Sequence, residues 1–271
     1  MCMIDIKTID WNEVWKGKKS VRSSPARNSA SWDKRAPSFA ENSSKTEYAE
    51  AFVKIVNPKK SWTVFDMGCG SGTLAIPFAK LVSKVTAIDF SGSMLKIVRA
   101  QCDKLNISNV STIKASWESN WNEAGIGIHD VAIASRSLVV DDLVSAVIKL
   151  NGVARKRVYI STIVDDGPYD RRVFAAIDRK LNTGPDYIYN YNLLYQMGIR
   201  ANIDFITEKT KSYKTSKQLV ESVKWMLGNL RLEEEIKLNK HLDKHIVCKA
   251  GWWSLDYGKD IKWALIWWNK D

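Results

Sequence analysis

The sequence predicts an α/β fold on a mostly parallel sheet, and three observations carry that expectation. Residues 63–65 form a short β-branched and aromatic run ending at an acid, glycines follow at 68, 70 and 72, and LAIPFAKLV then has helical spacing. A second strand-like run, VTAIDF, ends at Asp89 and leads into SGSMLKIVRAQCDKL, where Met94, Leu95 and Val98 make an inner helical face and Ser91 a natural N-cap. HDVAIASRSL and KRVYISTIV are apolar or β-branched through most of their length, as strands buried on both faces are. With 271 residues and 45% hydrophobic content, one domain with an elaboration is expected.

The glycine turn narrows the chemistry. Glycine adopts positive φ without strain and lets backbone approach a ligand closely, so Gly68, Gly70 and Gly72, with Cys69 between them, predict a nucleotide-like group over the turn. A dinucleotide fingerprint needs its third glycine where Thr73 stands, and a phosphate loop needs a Gly-Lys-Ser/Thr ending that is absent. Asp66, just before the first glycine, repels a pyrophosphate but favours an ammonium or sulfonium group. The pattern fits a cationic adenosine cofactor.

DMGCGSGT followed by VTAIDF resembles the class I S-adenosylmethionine-dependent methyltransferases. The resemblance implies an S-adenosyl-L-methionine cofactor, with Asp66, Gly68, Cys69, Gly70 and Gly72 at its methionine end and Asp89 on the ribose hydroxyls. It also implies a Rossmann-like, seven-stranded, mostly parallel sheet completed by an antiparallel C-terminal hairpin. Phe90 and Met94 stand where an adenine ring slides between apolar groups, and both also suit a core. The family often places an acid after the third strand; here Ala115, Ser116 and Trp117 follow it, so Ser116 offers a hydroxyl and Trp117 a stacking face, with Glu118 close by. SWDKRAPSFAENSSKTEYAEAFVKIV resembles the segment before the glycine strand in small-molecule methyltransferases of the ubiquinone and menaquinone biosynthesis type. That likeness implies that Trp32, Arg35 and Phe39 line the cofactor or substrate mouth; the alternative is an N-terminal helix whose aromatics pack on the sheet.

Ser135-Arg136-Ser137 leaves the fourth strand at the carboxyl end, where open α/β sheets bind ligands. Ser135 is assigned to the cofactor, and Arg136 either orients an anionic acceptor through a forked hydrogen bond or pairs with a surface acid. Enzymes that methylate base amines carry Asn/Asp-Pro-Pro-Tyr/Phe here, and cytosine C5 enzymes a Pro-Cys nucleophile. Neither is present, which favours a small-molecule acceptor. Asp165 and Asp166 follow the fifth strand, as a general base or as solvated turn formers. Because a sulfonium is already an activated leaving group, positioning alone does much of the work, and no residue beyond Arg136, Asp165 and Asp166 is a catalytic candidate.

Residues 167–250 exceed what a sheet connection needs and predict a helical or mixed insertion, a lid over the substrate. This leaves 1–30 as an N-terminal extension, with Trp11 and Trp15 on one helical face, and 31–166 with 251–271 as the cofactor-binding core. Tyr187, Tyr189, Tyr191, Tyr195 and Met197 suit an aromatic or apolar acceptor, or form the insertion's own core. His241 and His245 are spaced i, i+4 but lack a third ligand, so a solvated surface is expected and no metal. GWWSLDYGKDIKWALIWWNKD predicts a hairpin around Tyr257-Gly258-Lys259-Asp260, and apolar residues on both faces from Trp263 to Trp268 predict an internal last strand.

The net charge of +11 is scattered, with modest clusters in KGKKSVR and ARKR. An RNA-modifying enzyme is therefore the alternative to a small-molecule enzyme, and a non-catalytic cofactor-binding regulator the second alternative. No run is long enough to span a bilayer, MCMIDIKTIDWNE lacks an apolar secretory core, and cysteines at 2, 69, 102 and 248 lack metal-ligand spacing. Free thiols in a reducing cytoplasm are the expectation.

Overall fold

A computed structural model describes residues 6–43 and 47–270. In chain order the elements are α1 (Trp11–Ser20), α2 (Ser29–Ser43), α3 (Glu47–Val56), β1 (Thr63–Met67), α4 (Ala75–Ala79), β2 (Lys84–Asp89), α5 (Gly92–Lys104), β3 (Val110–Lys114) and β4 (His129–Ser135). They continue as α6 (Leu143–Val153), β5 (Ala154–Ile163), α7 (Arg171–Ala176), α8 (Tyr187–Gln196), β6 (Asn202–Glu208), α9 (Ser216–Leu227), α10 (Leu232–His245), β7 (Ile246–Lys249), β8 (Trp252–Leu255) and β9 (Ile261–Asn269). Cys2 and residues 44–46 of the segment before the glycine strand lie outside the described residues.

Seven strands form one sheet in the order β3-β2-β1-β4-β5-β9-β6. β1 to β5 are parallel, and β9 runs antiparallel to both β5 and β6. β6 therefore runs in the same direction as β1 to β5, so its last residue, Glu208, emerges on the edge where Asp66, Asp89 and Ser135 end their strands. The α/β class, the seven-stranded sheet and the internal position of the last strand match the sequence expectation. β9 is apolar on both faces because it has a strand on each side and a helical layer over each face.

Each face of the sheet is buried by amphipathic helices. Tyr48, Phe52 and Val56 of α3, Phe78 of α4 and Leu95 and Val98 of α5 pack on one side. Trp15 of α1, Leu143, Val147 and Leu150 of α6 and Leu193 and Leu194 of α8 pack on the other. A buried indole N–H needs an acceptor, and the tryptophans find them: Trp15 Nε1 donates to the Val140 carbonyl at 2.8 Å, Trp267 to Asp204 at 2.8 Å and Trp263 to Glu208 at 3.0 Å. His129 is likewise a satisfied core side chain, bridging Thr86 Oγ1 and the Gly127 carbonyl at 2.8 and 2.9 Å.

The C-terminal hairpin is composed differently from the expectation. Trp252–Leu255 pairs with Ile246–Lys249 in a separate two-stranded ribbon, and β9 takes its antiparallel partner from β6. The reason is local: Ala250 and Gly251, at φ 50° and 79°, join Lys249 to Trp252 as a two-residue turn with both central residues left-handed, the geometry that matches strand twist. Two elements between 167 and 250, α8 and β6, belong to the main sandwich. α7, α9 and α10, with the ribbon against them, enclose a third core of Val173, Phe174, Ile177, Leu219, Val223, Leu227, Leu238 and Leu242. Among the described residues no helix is long and apolar enough to cross a membrane.

Leu238→Ala is expected to cost about 2–5 kcal/mol within this third core. Amide hydrogen exchange should then accelerate in α7, α9, α10 and the β7–β8 ribbon while β1, β4 and β5 keep their protection. Uniform acceleration across the sheet would show that the small core is not a separate cooperative unit.

Candidate active site

At the end of β1 the chain turns through Gly68, Gly70 and Gly72, with φ of 72°, 55° and 91°, the left-handed region that glycine alone enters freely. Space adds to the requirement at two of them. A Cβ at Gly68 would collide with the Cβ of Ser137, and one at Gly70 would lie 3.3 Å from Cε1 of Phe39. The turn is thus pressed between the loop after β4 and helix α2. The Gly68 and Cys69 N–H groups donate to the Ile88 carbonyl at 2.8 and 2.9 Å, which ties the turn to β2.

Two carboxylates stand beside the turn, both buried: Asp66 is 2% and Asp89 5% exposed. Asp89 accepts from Gly70 N at 2.9 Å and Ser91 N at 2.8 Å, one on each oxygen. Burial raises its pKa above the ordinary carboxylate value, and those N–H groups oppose the rise. Asp66 Oδ2 is buried with no hydrogen-bond partner among the described residues. Burial first, and the charge of Asp89 second, push Asp66 up to about 7, with the Ala75 N–H working the other way. The same burial and the two acids hold the Cys69 thiol well above its usual range.

Helix α2 lies over the site. Asp33 Oδ1 accepts from Ser91 Oγ at 2.6 Å and Ser93 N at 3.0 Å, fastening α2 to the start of α5, and those bonds lower its pKa. Ser29 Oγ donates to the Phe90 carbonyl at 3.0 Å. Trp32 meets Phe39 and Trp225 edge-on, with ring centres 5.7 and 5.5 Å away. Of the three aromatic and basic candidates on α2, Phe39 lies against the turn at Gly70, Trp32 packs on Phe39, and Arg35 lies with Trp32 against Trp225 of α9. The Arg35 guanidinium lies 5.2 Å from the Trp225 ring, and its buried Nε has no acceptor among the described residues.

The other sequence candidates separate into those near the turn and those engaged elsewhere. Met94 is fully buried in α5, with its N–H capped by Ser91 Oγ at 3.1 Å. Ser116 turns its hydroxyl to Ser119 and the Glu118 N–H, while Trp117 Nε1 donates to the Ser137 carbonyl at 3.0 Å and joins the loops after β3 and β4. Ser135 Oγ is 2.7 Å from Tyr48 Oη, which also donates to Ser161. Asp166 is held by Arg171 through two bonds of 2.6 Å, and Asp165 sits at φ 51° in the same turn, the turn-forming alternative. Tyr189 packs edge-on against Trp11 and Tyr187 against Phe205, so these tyrosines join α8 to α1 and β6. His241 bonds Tyr257 Oη at 2.5 Å and His245 bonds Asp256 at 3.1 Å.

Sequence reading missed the residues around Arg136. At φ 56°, this non-glycine residue follows β4 with its guanidinium 4.1 Å from the centre of the Tyr48 ring and 5.2 Å from that of Trp263. Its Nη1 is 3.5 Å from Glu208 Oε2, and Glu208 is 5% exposed. The usable signal was a matched spacing: Asp204 and Glu208 are four apart, as are their indole partners Trp267 and Trp263.

The buried lone oxygen of Asp66, the left-handed glycines and the second acid at Asp89 fit an adenosyl cofactor with a cationic end. Comparison with known proteins agrees. Residues 64–153 match the model of a methyltransferase domain. An uncharacterized protein of Haemophilus influenzae is 36% identical over 244 residues, 89% of each chain. The fold is shared with a coclaurine N-methyltransferase bound to N-methylheliamine and SAH, at TM-score 0.53 and 13% identity over 96% of this chain and 86% of that one. It is also shared with a SAM-dependent methyltransferase of Geobacter sulfurreducens in complex with S-adenosyl-L-homocysteine, at TM-score 0.51 and 13% identity over 83% and 91%. Sheet order, glycine turn and matched domain agree: residues 64–153 are a methyltransferase domain on a fold shared with S-adenosylmethionine-dependent methyltransferases, and the chain belongs to one family with the Haemophilus influenzae protein.

Proposed function

We propose that this methyltransferase acts on a small-molecule acceptor by direct displacement, with Asp66, the glycine turn and Asp89 holding the cofactor. The observation that supports this best is the unpartnered Asp66 oxygen. A carboxylate oxygen left without a donor in the interior is costly, and a ligand ammonium or sulfonium at that point removes the cost. Asp89 has one N–H on each oxygen and a lone pair to spare on each, which suits a pair of ribose hydroxyls. The Arg35 guanidinium suits the methionyl carboxylate. When bound, S-adenosylmethionine supplies an electrophilic methyl group on a positively charged sulfur.

The chain's own residues bind, orient and exclude water. Phe39 lies against the turn, Trp32 packs edge-on against Phe39, and Trp225 of α9 packs edge-on against Trp32. Positioning in such a closed site is the main source of acceleration when the leaving group is already activated. The loop Ser135-Arg136-Ser137 lacks both nucleic-acid methylation signatures, which favours a small-molecule acceptor. The free thiols of Cys69, Cys102 and Cys248 suit a reducing cytoplasm.

Two experiments test this reading. In titration calorimetry with S-adenosyl-L-homocysteine, the protein should bind, and Asp89→Ala should weaken binding by more than about tenfold, the scale of a lost charge-assisted hydrogen bond. Absence of heat with the unaltered protein would overturn the assignment.

The second uses pH. Asp66 is raised from its ordinary 3.8 to about 7, so its ionisation opposes folding of the ligand-free protein. The penalty is absent below about pH 4, grows by about 1.4 kcal/mol per pH unit up to about 7, and is constant above. Asp66→Asn should therefore melt higher than the unaltered protein at pH 8, and the gap should close towards pH 4, while the variant loses affinity for the cofactor product. A gap independent of pH would exclude a buried, ligand-seeking carboxylate.

A further inference from the structure

We propose that the edge of the sheet opposite the glycine turn docks on an anionic membrane surface, with Leu81, Leu105 and Ile128 entering the headgroup layer and the lysines of the same loops meeting lipid phosphates. In a parallel sheet each return from helix to strand arrives on one edge, so lysines far apart in the sequence are collected there. Lys59 and Lys60 precede β1, Lys80 and Lys84 lead into β2, and Lys104 ends α5 before β3. All five are exposed, and none joins an ion pair among the described residues. The acids of these loops do not cancel them. Asp130 is matched by Arg155 and Lys156, which leaves Asp103 and Glu123 against the five lysines.

Hydrogen bonds make the loops one preformed surface. Ser83 donates to the Trp62 carbonyl from its N–H at 2.9 Å and from its hydroxyl at 2.7 Å, which joins the loop before β1 to the loop before β2. Asn109 Nδ2 donates to the carbonyls of Ala79 and Val82 at 2.8 and 3.0 Å, which adds the loop before β3. Lys84 also lines a cavity of about 300 Å³ with Thr63, Ser111 and Ile128. Its buried walls are polar: His129 bridges Thr86 Oγ1 and the Gly127 carbonyl. Ser111 Oγ reaches Thr86 Oγ1 and the Val85 carbonyl only at 3.3 and 3.4 Å. A hydroxyl held so weakly, in a cavity that also carries an ammonium group, suits a headgroup phosphate oxygen.

The exposed large side chains decide between lipid and nucleic acid. Leu81, Leu105 and Ile128 are 43%, 46% and 62% exposed, one on each of three loops of this edge. Stacking of bases needs aromatic faces, yet Trp62 and Trp121, the indoles of these loops, are buried. Each also has a cation beside its ring, Lys156 at 5.7 Å and Lys149 at 5.4 Å from the ring centres. Aliphatic tips set among cations are what an anionic bilayer surface binds. The glycine turn lies at the other ends of the strands, so docking leaves it clear of lipid.

The test is co-sedimentation of the full chain with vesicles of phosphatidylcholine alone and with vesicles containing about one-quarter phosphatidylserine, at about 0.1 M salt. Partition onto the anionic vesicles should exceed that onto the neutral ones by at least about tenfold. Lys80→Glu with Lys84→Glu should lower it by at least about tenfold, and so should Lys59→Glu with Lys60→Glu on the neighbouring loop. The same charge change at exposed positions of α10, Lys240→Glu with Lys244→Glu, should lower it by less than about twofold. Leu105→Gln with Ile128→Gln, which leaves the charge unaltered, should lower it by at least about fivefold. Melting followed by circular dichroism should be unchanged in every variant, since all these positions are exposed. Equal losses in the loop and α10 pairs would reduce the effect to the protein's general charge and overturn the proposal. Unchanged partition in the Leu105/Ile128 pair would overturn it too, as would tight binding of single-stranded RNA without binding of vesicles. Calorimetry with S-adenosyl-L-homocysteine reads the cofactor assignment separately, and none of these outcomes bears on it.

Discussion

Two carboxylates buried at the ends of adjacent parallel strands are the constraint on which this site depends. Charges taken out of water are expensive unless paired or hydrogen-bonded, and two of the same sign raise the cost for each other. The fold resolves half of the problem internally, by giving Asp89 the N–H groups of Gly70 and Ser91. It leaves Asp66 Oδ2 without a partner among the described residues. The glycines have their physical role in this context: only a turn of left-handed residues lets Gly70 aim its N–H back at Asp89 while Ser137 and Phe39 crowd the turn from either side.

The second organising device is the pairing of tryptophans with acids across β9 and β6. Trp263 and Trp267 are too large and too polar at their N–H to be buried without acceptors, and Glu208 and Asp204 supply them at the same four-residue spacing. The antiparallel register sets Ile206 opposite Trp263 and Glu208 opposite Ile261, so this ladder also fixes where β6 ends. A packing requirement in the last strand thereby sets the position of a carboxylate beside Arg136.

What could be read from the sequence follows from how local each signal is. Asp66, the glycines and Asp89 were legible because strand, turn and helix lie within about thirty consecutive residues and each imposes a local chemistry. The internal position of β9 was legible because a strand apolar on both faces cannot sit at an edge. β6 was hidden in the region read as an insertion, since an edge strand with one half-solvated face, written Asn202-Ile203-Asp204-Phe205, resembles a loop in composition. The tyrosines of α8 suggested an acceptor pocket, but an aromatic cluster does not state which surface it covers; here it joins α8 to α1 and β6. Glu208 was illegible for a related reason: its meaning comes from a sheet order that places residue 208 beside residue 136.

Helix α2 is fastened at one end by Asp33 to the start of α5 and gripped along its side by Trp225 of the small helical unit. The same helix touches the glycine turn with Phe39 and sets the Arg35 guanidinium beside Trp225. Helix α2 cannot swing away from the glycine turn without parting from α5 and α9 together, so its placement ties the packing of the sheet's helical layer to that of the small helical unit.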